Sequence, residues 1–135
     1  MGATVRVSRQ VLERMLAEAR QNRTIECCGL LAGREGEITA IFPAVNMLAS
    51  PCAFEIAPPE LFRIFREMRV SRLEHLGIYH SHPLGPNEPS GKDVARAFYP
   101  DEAYFIVSPA PAAPQPIRAF SIRDGESTEL TIEPV

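Results

Sequence analysis

Apolar residues recur every three or four positions in two stretches of the chain, which is the spacing of one face of an α-helix. The first stretch follows Ser8, a residue suited to cap a helix, and runs to about Arg20. The second begins at Pro58 and Pro59, where a missing backbone N–H is harmless. The apolar positions are Val11, Leu12, Met15, Leu16 and Ala19 in the first helix, and Leu61, Phe62, Ile64, Phe65 and Met68 in the second.

Short apolar runs between turn signals predict strands. Residues 27–32, 76–79 and 103–107 are nearly continuous apolar runs, which is typical of strands buried on both faces. The turn at residues 33–36 and the Asp124-Gly125 pair predict two hairpins. The predicted strands are 4–7, 27–32, 38–45, 76–79, 103–107, 117–122 and 126–132. With the helices between them, they predict a mixed α/β or α+β fold in one domain over residues 1–135.

The composition narrows the class of protein. The chain has 135 residues, of which 45% are hydrophobic and 23% charged, as in an ordinary globular domain. Its net charge of −3 argues against nucleic acid as a partner, since phosphate binding needs a basic surface. No window reaches the roughly 18 apolar residues of a membrane span, and the first residues do not resemble a signal peptide. Three cysteines do not suggest a disulfide framework, so we expect a cytoplasmic protein without a membrane partner.

The most informative segment begins at His80. His80 and His82 end an apolar strand and, because side chains alternate along a strand, they point the same way and could share one metal ion. Ser90 then begins a short helix that we expect to end near Pro100, and Asp93 lies in its first turn. Two imidazoles and one carboxylate, with the fourth position left for water, suit a catalytic zinc site.

Simpler explanations exist for each of these residues alone. Ser90 and Asp93 form an ordinary helix-capping pattern, and an isolated pair of histidines two residues apart is usually incidental. Glu26, just before the strand at residues 27–32, is either a solvated carboxylate or a base directed at a site. The combination favours a site, because strand ends and helix starts are where sites are usually built.

The segment resembles the JAMM motif of the JAB1/MPN/Mov34 metalloprotease family. The matching residues are an upstream Glu26, then His80-Ser81-His82-Pro83, then Ser90 and Asp93 at the family's spacing. The resemblance covers about residues 5–107 and is closest to the short bacterial members. It implies one JAB1/MPN-like domain, a mixed β-sheet flanked by helices as in cytidine deaminases. It also implies that His80, His82, Asp93 and a water bind one Zn²⁺, with Glu26 as general base and Ser90 as the oxyanion donor.

The resemblance also implies a substrate. The family cleaves amide or isopeptide bonds after the C-terminal Gly-Gly of ubiquitin-like proteins. For a short bacterial member we expect the tail of a ubiquitin-like or sulfur-carrier protein as the partner. The leaving group, an amino acid or a protein lysine, stays open, as does the oligomeric state, with a homodimer possible. The chain lacks the longer insertions with which eukaryotic relatives grip ubiquitin.

Several alternatives accompany this interpretation. A catalytically silent scaffold of the same fold would have lost ligands, whereas the motif here is intact. A DNA-associated relative of the RadC type usually has an added DNA-binding domain, and a zinc deaminase needs a Pro-Cys-x-x-Cys pair that is missing from this sequence. A Cys-His protease built on Cys27 or Cys28 is chemically conceivable, and alternation directs one of the two towards the side of Glu26. We expect His75 to be structural.

Overall fold

The computed structural model describes residues 3–135, and these form seven strands and three helices in the predicted order. The elements are β1 (Thr4–Val7), α1 (Arg9–Gln21), β2 (Cys28–Arg34), β3 (Glu37–Ala44), α2 (Pro58–Val70), β4 (Glu74–Ser81), α3 (Gly91–Ala95), β5 (Ala103–Val107), β6 (Ile117–Arg123) and β7 (Glu126–Pro134). Among the described residues, no helix has the length and hydropathy needed to cross a bilayer. The prediction of an α+β fold with a mixed sheet and flanking helices is confirmed.

The strands form one mixed sheet that closes on itself in the order β1-β3-β2-β4-β5-β6-β7. β4 and β5 are parallel, and β1 is parallel to both of its neighbours, whereas the other pairs are antiparallel. One face of the central strands packs with α1 in a core that includes Met15, Leu31 and Phe105. The other face packs with α2 around Ile64 and Ile106. Burial on both faces explains why these strands are continuous apolar runs.

The two hairpin turns have the backbone geometry that their sequences predict. Glu35 and Gly36 have φ angles of 54° and 76°, and Asp124 and Gly125 have φ angles of 53° and 78°. Two consecutive positive φ angles are the signature of a type I′ turn, whose twist matches that of the strands it joins. The β2–β3 and β6–β7 pairs are therefore specified locally.

Several predicted boundaries were wrong by one or more residues, and the two that matter for the site lie beside the histidine segment. α3 ends at Ala95, with Arg96 as its C-cap, and not near Pro100. The backbone N–H of Tyr99 donates to the Tyr104 hydroxyl at 2.9 Å, and a residue before proline is disfavoured in a helix. β4 continues to Ser81, because the Ser81 N–H donates to the carbonyl of Cys27 at 3.0 Å.

A buried polar contact joins α1 to the sheet. Tyr79 is fully buried, and its hydroxyl donates to Glu18 Oε2 at 2.7 Å. Its ring crosses β2 at Gly29, where an added Cβ would lie 2.5 Å from the ring and 2.5 Å from the Phe42 carbonyl oxygen. Burial raises the pKa of Glu18, and the hydrogen bond from Tyr79 opposes that rise. The charged form of Glu18 thus depends on the Tyr79 hydroxyl.

We expect Tyr79→Phe to destabilise the protein by about 1–3 kcal/mol at pH 7, because it leaves a partly buried carboxylate without its donor. Since the pKa of Glu18 is raised in the folded state, the neutral form grows as pH falls, and the loss should be smaller at pH 4. Urea unfolding at the two pH values measures this. Tyr104→Phe is the control, because its hydroxyl accepts from a backbone N–H and its loss should not depend on pH in this range. Equal losses for Tyr79→Phe at both pH values would contradict the account.

Candidate metal centre and active site

The end of β4 brings the two histidines together. His80 pairs with Cys28 of β2 and with Ile106 of β5 and is buried. His82 follows the strand, and its N–H donates to the Val107 carbonyl at 2.9 Å. As the alternation predicts, both rings point the same way, and their Nε2 atoms are 3.1 Å apart.

The first turn of α3 brings Asp93 to the same point. Ser90 Oγ accepts from the Asp93 N–H at 3.1 Å, and the Ser90 N–H donates to Asp93 Oδ2 at 2.9 Å, which together form a capping box. Asp93 Oδ1 lies 3.2 Å from His80 Nε2, and Asp93 Oδ2 lies 3.0 Å from His82 Nε2. The capping role and the site role of Asp93 are therefore compatible, because the cap fixes the carboxylate against both imidazoles.

Glu26 reaches the site through the register of β2 and β4. Continuing the Cys28–His80 pairing by two residues sets Glu26 opposite His82. A hydrogen bond between the two segments supports this pairing, because the Cys27 N–H donates to Ser81 Oγ at 2.9 Å. Glu26 is only 2% exposed, and its Oε1 has no hydrogen-bond partner among the described residues. Burial raises the pKa of Glu26 to about 7, while His82 lowers it and Asp93 raises it further.

Hydrogen bonds define which nitrogen of His82 can accept. A carbonyl can only accept, so the 2.9 Å contact between His82 Nδ1 and the Pro86 oxygen assigns a proton to Nδ1. In the neutral ring, Nε2 then carries the lone pair, which faces His80 and Asp93. Burial lowers the pKa of His80, which favours its neutral form.

The acid in the cluster is held ionised. Burial alone would raise the pKa of Asp93, but the hydrogen bonds from His80 and His82 outweigh it and lower that pKa. For His82 the balance has the opposite sign. Burial lowers the pKa of His82. The hydrogen bonds with Asp93 and Pro86 and the negative charges of Asp93 and Glu26 outweigh burial, so the pKa of His82 is raised. The cluster therefore combines one ionised carboxylate with two imidazoles, and a bound metal would take the place of a proton on their Nε2 atoms.

The donor atoms of these three residues fit a small divalent cation. All three ligand atoms lie within 4.8 Å of one another. Tetrahedral zinc with bonds of 2.0–2.1 Å would separate its ligand atoms by about 3.3 Å. The two Nε2 atoms are 3.1 Å apart, and each lies 3.0–3.2 Å from a different oxygen of Asp93, so these contacts are close to that value. His80, His82 and Asp93 could thus hold zinc without a rearrangement of the backbone.

Two spaces flank the cluster, and we name each by one of its residues. The Glu26 cleft, of about 380 Å³, is lined by Glu26, Pro51, Cys52, His82, Leu84, Gly85, Pro86, Glu88, Pro89 and Ser90. The Phe54 pocket, of about 210 Å³, lies on the side of His80 and Asp93 and is mostly apolar. The Phe54 ring stacks on His80, with centroids 4.7 Å apart. A substrate crossing the cluster could therefore occupy both sides.

Two buried asparagines that the sequence analysis missed hold the loops of the site. Asn46 donates to the carbonyls of Glu26 at 3.0 Å and Ala53 at 2.9 Å. Asn87 donates to the carbonyl of Gln115 at 2.7 Å, which ties the histidine loop to the proline-rich loop at residues 109–116. Asparagine is common in loops, so its sequence position gave no signal of this role.

The cysteines and His75 have other surroundings. Burial raises the pKa of Cys27 to about 11 and that of Cys28 to about 12, so both are thiols and poor nucleophiles at neutral pH. Neither lines the Glu26 cleft, where Cys52 is found instead. His75 lies 2.7 Å from Glu102, outside the cluster. These contacts remove the basis for a Cys-His protease.

Comparisons with known proteins agree with this geometry. Residues 8–123 match the family model described as prokaryotic homologs of the JAB domain. The CysO-cysteine peptidase of Mycobacterium tuberculosis is 35% identical over 123 residues, which cover 90% of this chain and 82% of that protein. A probable TtuB-protein conjugate cleaving protease of Thermus thermophilus is 31% identical, covering 97% and 84%. The desampylase of Pyrococcus furiosus is 36% identical over 60% of this chain and 58% of its own length.

Solved structures support the fold. A solution structure of a Desulfitobacterium hafniense protein has a TM-score of 0.82 at 34% identity and covers 97% of this chain and 92% of its own. A JAB1/MPN domain protein from Archaeoglobus fulgidus has a TM-score of 0.62 at 21% identity, covering 98% and 99%. The curated relatives are peptidases and proteases, which confirms the prediction of a hydrolase of the JAMM type. The chain belongs to the family of prokaryotic homologs of the JAB domain.

Proposed function

We propose that this protein is a zinc-dependent metallopeptidase that cleaves the amide bond after the C-terminal Gly-Gly of a ubiquitin-like or sulfur-carrier protein. The observation that carries the proposal is the convergence of the His80, His82 and Asp93 donor atoms beside the buried carboxylate of Glu26. A catalytically silent scaffold of this fold would not need a buried carboxylate such as Glu26 beside the three donor residues. We further propose that residues 1–135 act as one domain in the cytoplasm.

In this proposal His80, His82 and Asp93 hold the zinc, with a water as the fourth ligand. When bound, zinc would polarise the scissile carbonyl and bring the pKa of a bound water to about 7. The protein's part is to fix the three ligands: the Pro86 carbonyl orients His82, and the Ser90 N–H orients Asp93. Partners of this kind usually matter nearly as much as the ligands themselves.

Glu26 is the proposed general base and then general acid. It would remove a proton from the attacking water and deliver that proton to the departing amine. Burial raises its pKa to about 7, which is the range in which a carboxyl group can both accept and return a proton at neutral pH. Its buried Oε1 makes no hydrogen bond within residues 3–135, and in this proposal a water or the departing amine supplies the missing partner.

Ser90 is the proposed donor to the oxyanion. Its oxygen already accepts the Asp93 N–H, which leaves the hydroxyl proton to be donated elsewhere. Ser90 also lines the Glu26 cleft, so its hydroxyl would face the scissile bond where that bond passes from the cluster into the cleft. A donor at this position would stabilise the negative charge that develops on the carbonyl oxygen.

The names of the relatives support the substrate class. Those proteins are named for a CysO-cysteine adduct and for conjugates of TtuB. We carry over to this chain what these substrates share, a carrier protein whose C-terminus is joined through an amide to an amino acid or to another protein. A diglycine end suits a site confined between loops, because it brings no side chains past the ligands.

Zinc-loaded protein should remove a residue added after the Gly-Gly end of a sulfur-carrier protein. We expect the intact mass of the carrier adduct to fall by that residue, and a chelator should abolish the change because the ligands would lose their metal. Re-addition of zinc should restore it. Persistence of cleavage after complete metal removal would contradict the proposal.

The Glu26→Gln variant is the matched control for this assay. It keeps the size and burial of the side chain but removes its basicity, so it should bind zinc normally and cleave at least about 100-fold more slowly. Zinc content and cleavage rate are measured on the same sample. Normal cleavage by this variant would remove Glu26 from the role of base.

We expect Ser90→Ala to lower kcat by roughly 10–1000-fold, as the loss of one oxyanion donor does in other hydrolases. The variant also loses a helix cap, so its melting temperature is measured alongside. Ser90→Thr, which keeps both the cap and the hydroxyl, should retain more activity than Ser90→Ala. An unchanged kcat in a folded Ser90→Ala protein would leave Ser90 as a cap only.

A further inference from the structure

The Glu26 cleft defines where the departing group must lie. This inference rests on the proposed function, in which Glu26 delivers a proton to the departing amine. That amine must therefore lie within hydrogen-bond distance of Glu26. Glu26 lines the cleft between Pro51 and the loop from Leu84 to Pro89 and is not among the residues that line the Phe54 pocket. The carrier tail then extends to the other side of the cluster, and the cleft receives the leaving group.

The walls of this cleft are apolar, and its charges are acidic. Pro51, Leu84, Pro86 and Pro89 supply the apolar surface, and Leu84 is 75% exposed. Apart from Glu26, the only charged side chain that lines the cleft, among the described residues, is Glu88. No lysine or arginine of residues 3–135 lines it. Lys92 is the positively charged residue next to Asp93 in the sequence, and it borders the Phe54 pocket instead.

Glu88 is only weakly compensated. Within residues 3–135 its one ion pair is a 3.5 Å contact with Arg118, and its side chain is 64% exposed. Arg118 itself makes two shorter bonds to the carboxylate of Glu129, at 2.8 and 2.9 Å. A bidentate pair of that kind is the stronger of the two interactions. Arg118 therefore offsets only part of the negative charge of Glu88, a residue that lines the cleft.

Leaving groups of the two relevant kinds differ in charge near the amine. A single amino acid departs with a carboxylate on the carbon next to its amine, which would bring that charge towards Glu26 and Glu88, and no lysine or arginine that lines the cleft would pair it. The metal and its histidine ligands would be the cations nearest to it, and Asp93 already offsets part of their charge. Sites built for a terminal carboxylate usually supply an arginine or lysine. A lysine in an isopeptide instead presents an uncharged aliphatic stem to the apolar walls.

We propose that Glu88 determines the leaving-group specificity of this protein and directs it to lysine isopeptides. Adducts that carry a free carboxylate beside the departing amine are the disfavoured class. The named relatives include an enzyme of each kind, a CysO-cysteine peptidase and a conjugate-cleaving protease. The charge of the cleft thus aligns this chain with conjugate cleavage.

The test compares three adducts on one carrier protein: alanine, alaninamide, and acetyl-lysine amide joined through its ε-amine. Alanine and alaninamide differ only in the carboxylate. For the zinc-loaded protein we expect kcat/KM to be roughly three- to tenfold lower for alanine than for alaninamide. The lysine adduct should be cleaved at least as well as alaninamide. Intact mass spectrometry follows all three.

Variants assign the discrimination to Glu88. Glu88→Gln should bring the ratio of alaninamide to alanine close to one, mainly by raising kcat/KM for alanine. Arg118→Gln should widen the ratio, because it removes the partial compensation of Glu88. Glu55→Gln is the control, since Glu55 is an exposed carboxylate that borders the other pocket and should leave the ratio unchanged.

The outcomes separate this inference from the proposed function. If no adduct is cleaved by the zinc-loaded protein, the proposed function fails, and the inference fails with it. If the adducts are cleaved but alanine and alaninamide react equally, or the ratio persists in Glu88→Gln, the inference alone is overturned. A ratio that collapses in Glu88→Gln and survives in Glu55→Gln supports it.

Discussion

The pairing of β2 with β4 is the constraint on which the whole site depends. Because Cys28 lies opposite His80, the residues just beyond the two strand ends, Glu26 and His82, come together in turn. A shift of this register by one residue would direct the histidines to the opposite face of the sheet. The register is itself specified by apolar side chains that are buried on both faces, such as Leu30 and Leu31. The hydrophobic core therefore positions the proposed catalytic groups.

Burial also sets the charges of the site. A carboxylate that is 2% exposed would ordinarily be costly, and for Glu26 the cost appears as a pKa raised to about 7. Asp93 is held in the opposite state, because a backbone N–H donates to it and both imidazoles lie within 3.2 Å of its oxygens. Two carboxyl groups in one site thus have different protonation behaviour. That difference is what the proposed division into a ligand and a base requires.

Most of the fold could be predicted from the sequence, because its signals are local. The alternating and continuous apolar runs identified the strands, and Asp124-Gly125 specified its own turn. The end of α3 was mistaken because a side chain competes with the helix: the Tyr99 N–H donates to the Tyr104 hydroxyl and not to a helical carbonyl. Local propensity does not contain that contact.

Only the part of the candidate site that is formed by residues close together in the sequence could be predicted. His80, His82 and Asp93 are close in sequence, so their convergence could be expected from one strand and one helix start. The roles of Asn46 and Asn87 depend on carbonyl groups far along the chain, such as that of Gln115, and no local pattern reports them. The acidic character of the Glu26 cleft was not predictable for the same reason, because the tertiary fold determines which charged side chains line it.

Two imidazoles and one carboxylate of this chain are proposed to hold the metal. X-ray absorption at the zinc edge would test this ligand set on the protein loaded with one zinc per chain and on its His82→Ala variant. The account predicts nitrogen and oxygen ligands at about 2.0–2.1 Å, imidazole scattering from two rings in the protein, and weaker zinc binding with one ring in the variant. A sulfur ligand at about 2.3 Å would contradict it, because it would assign the metal to a cysteine such as Cys52 at the edge of the cleft.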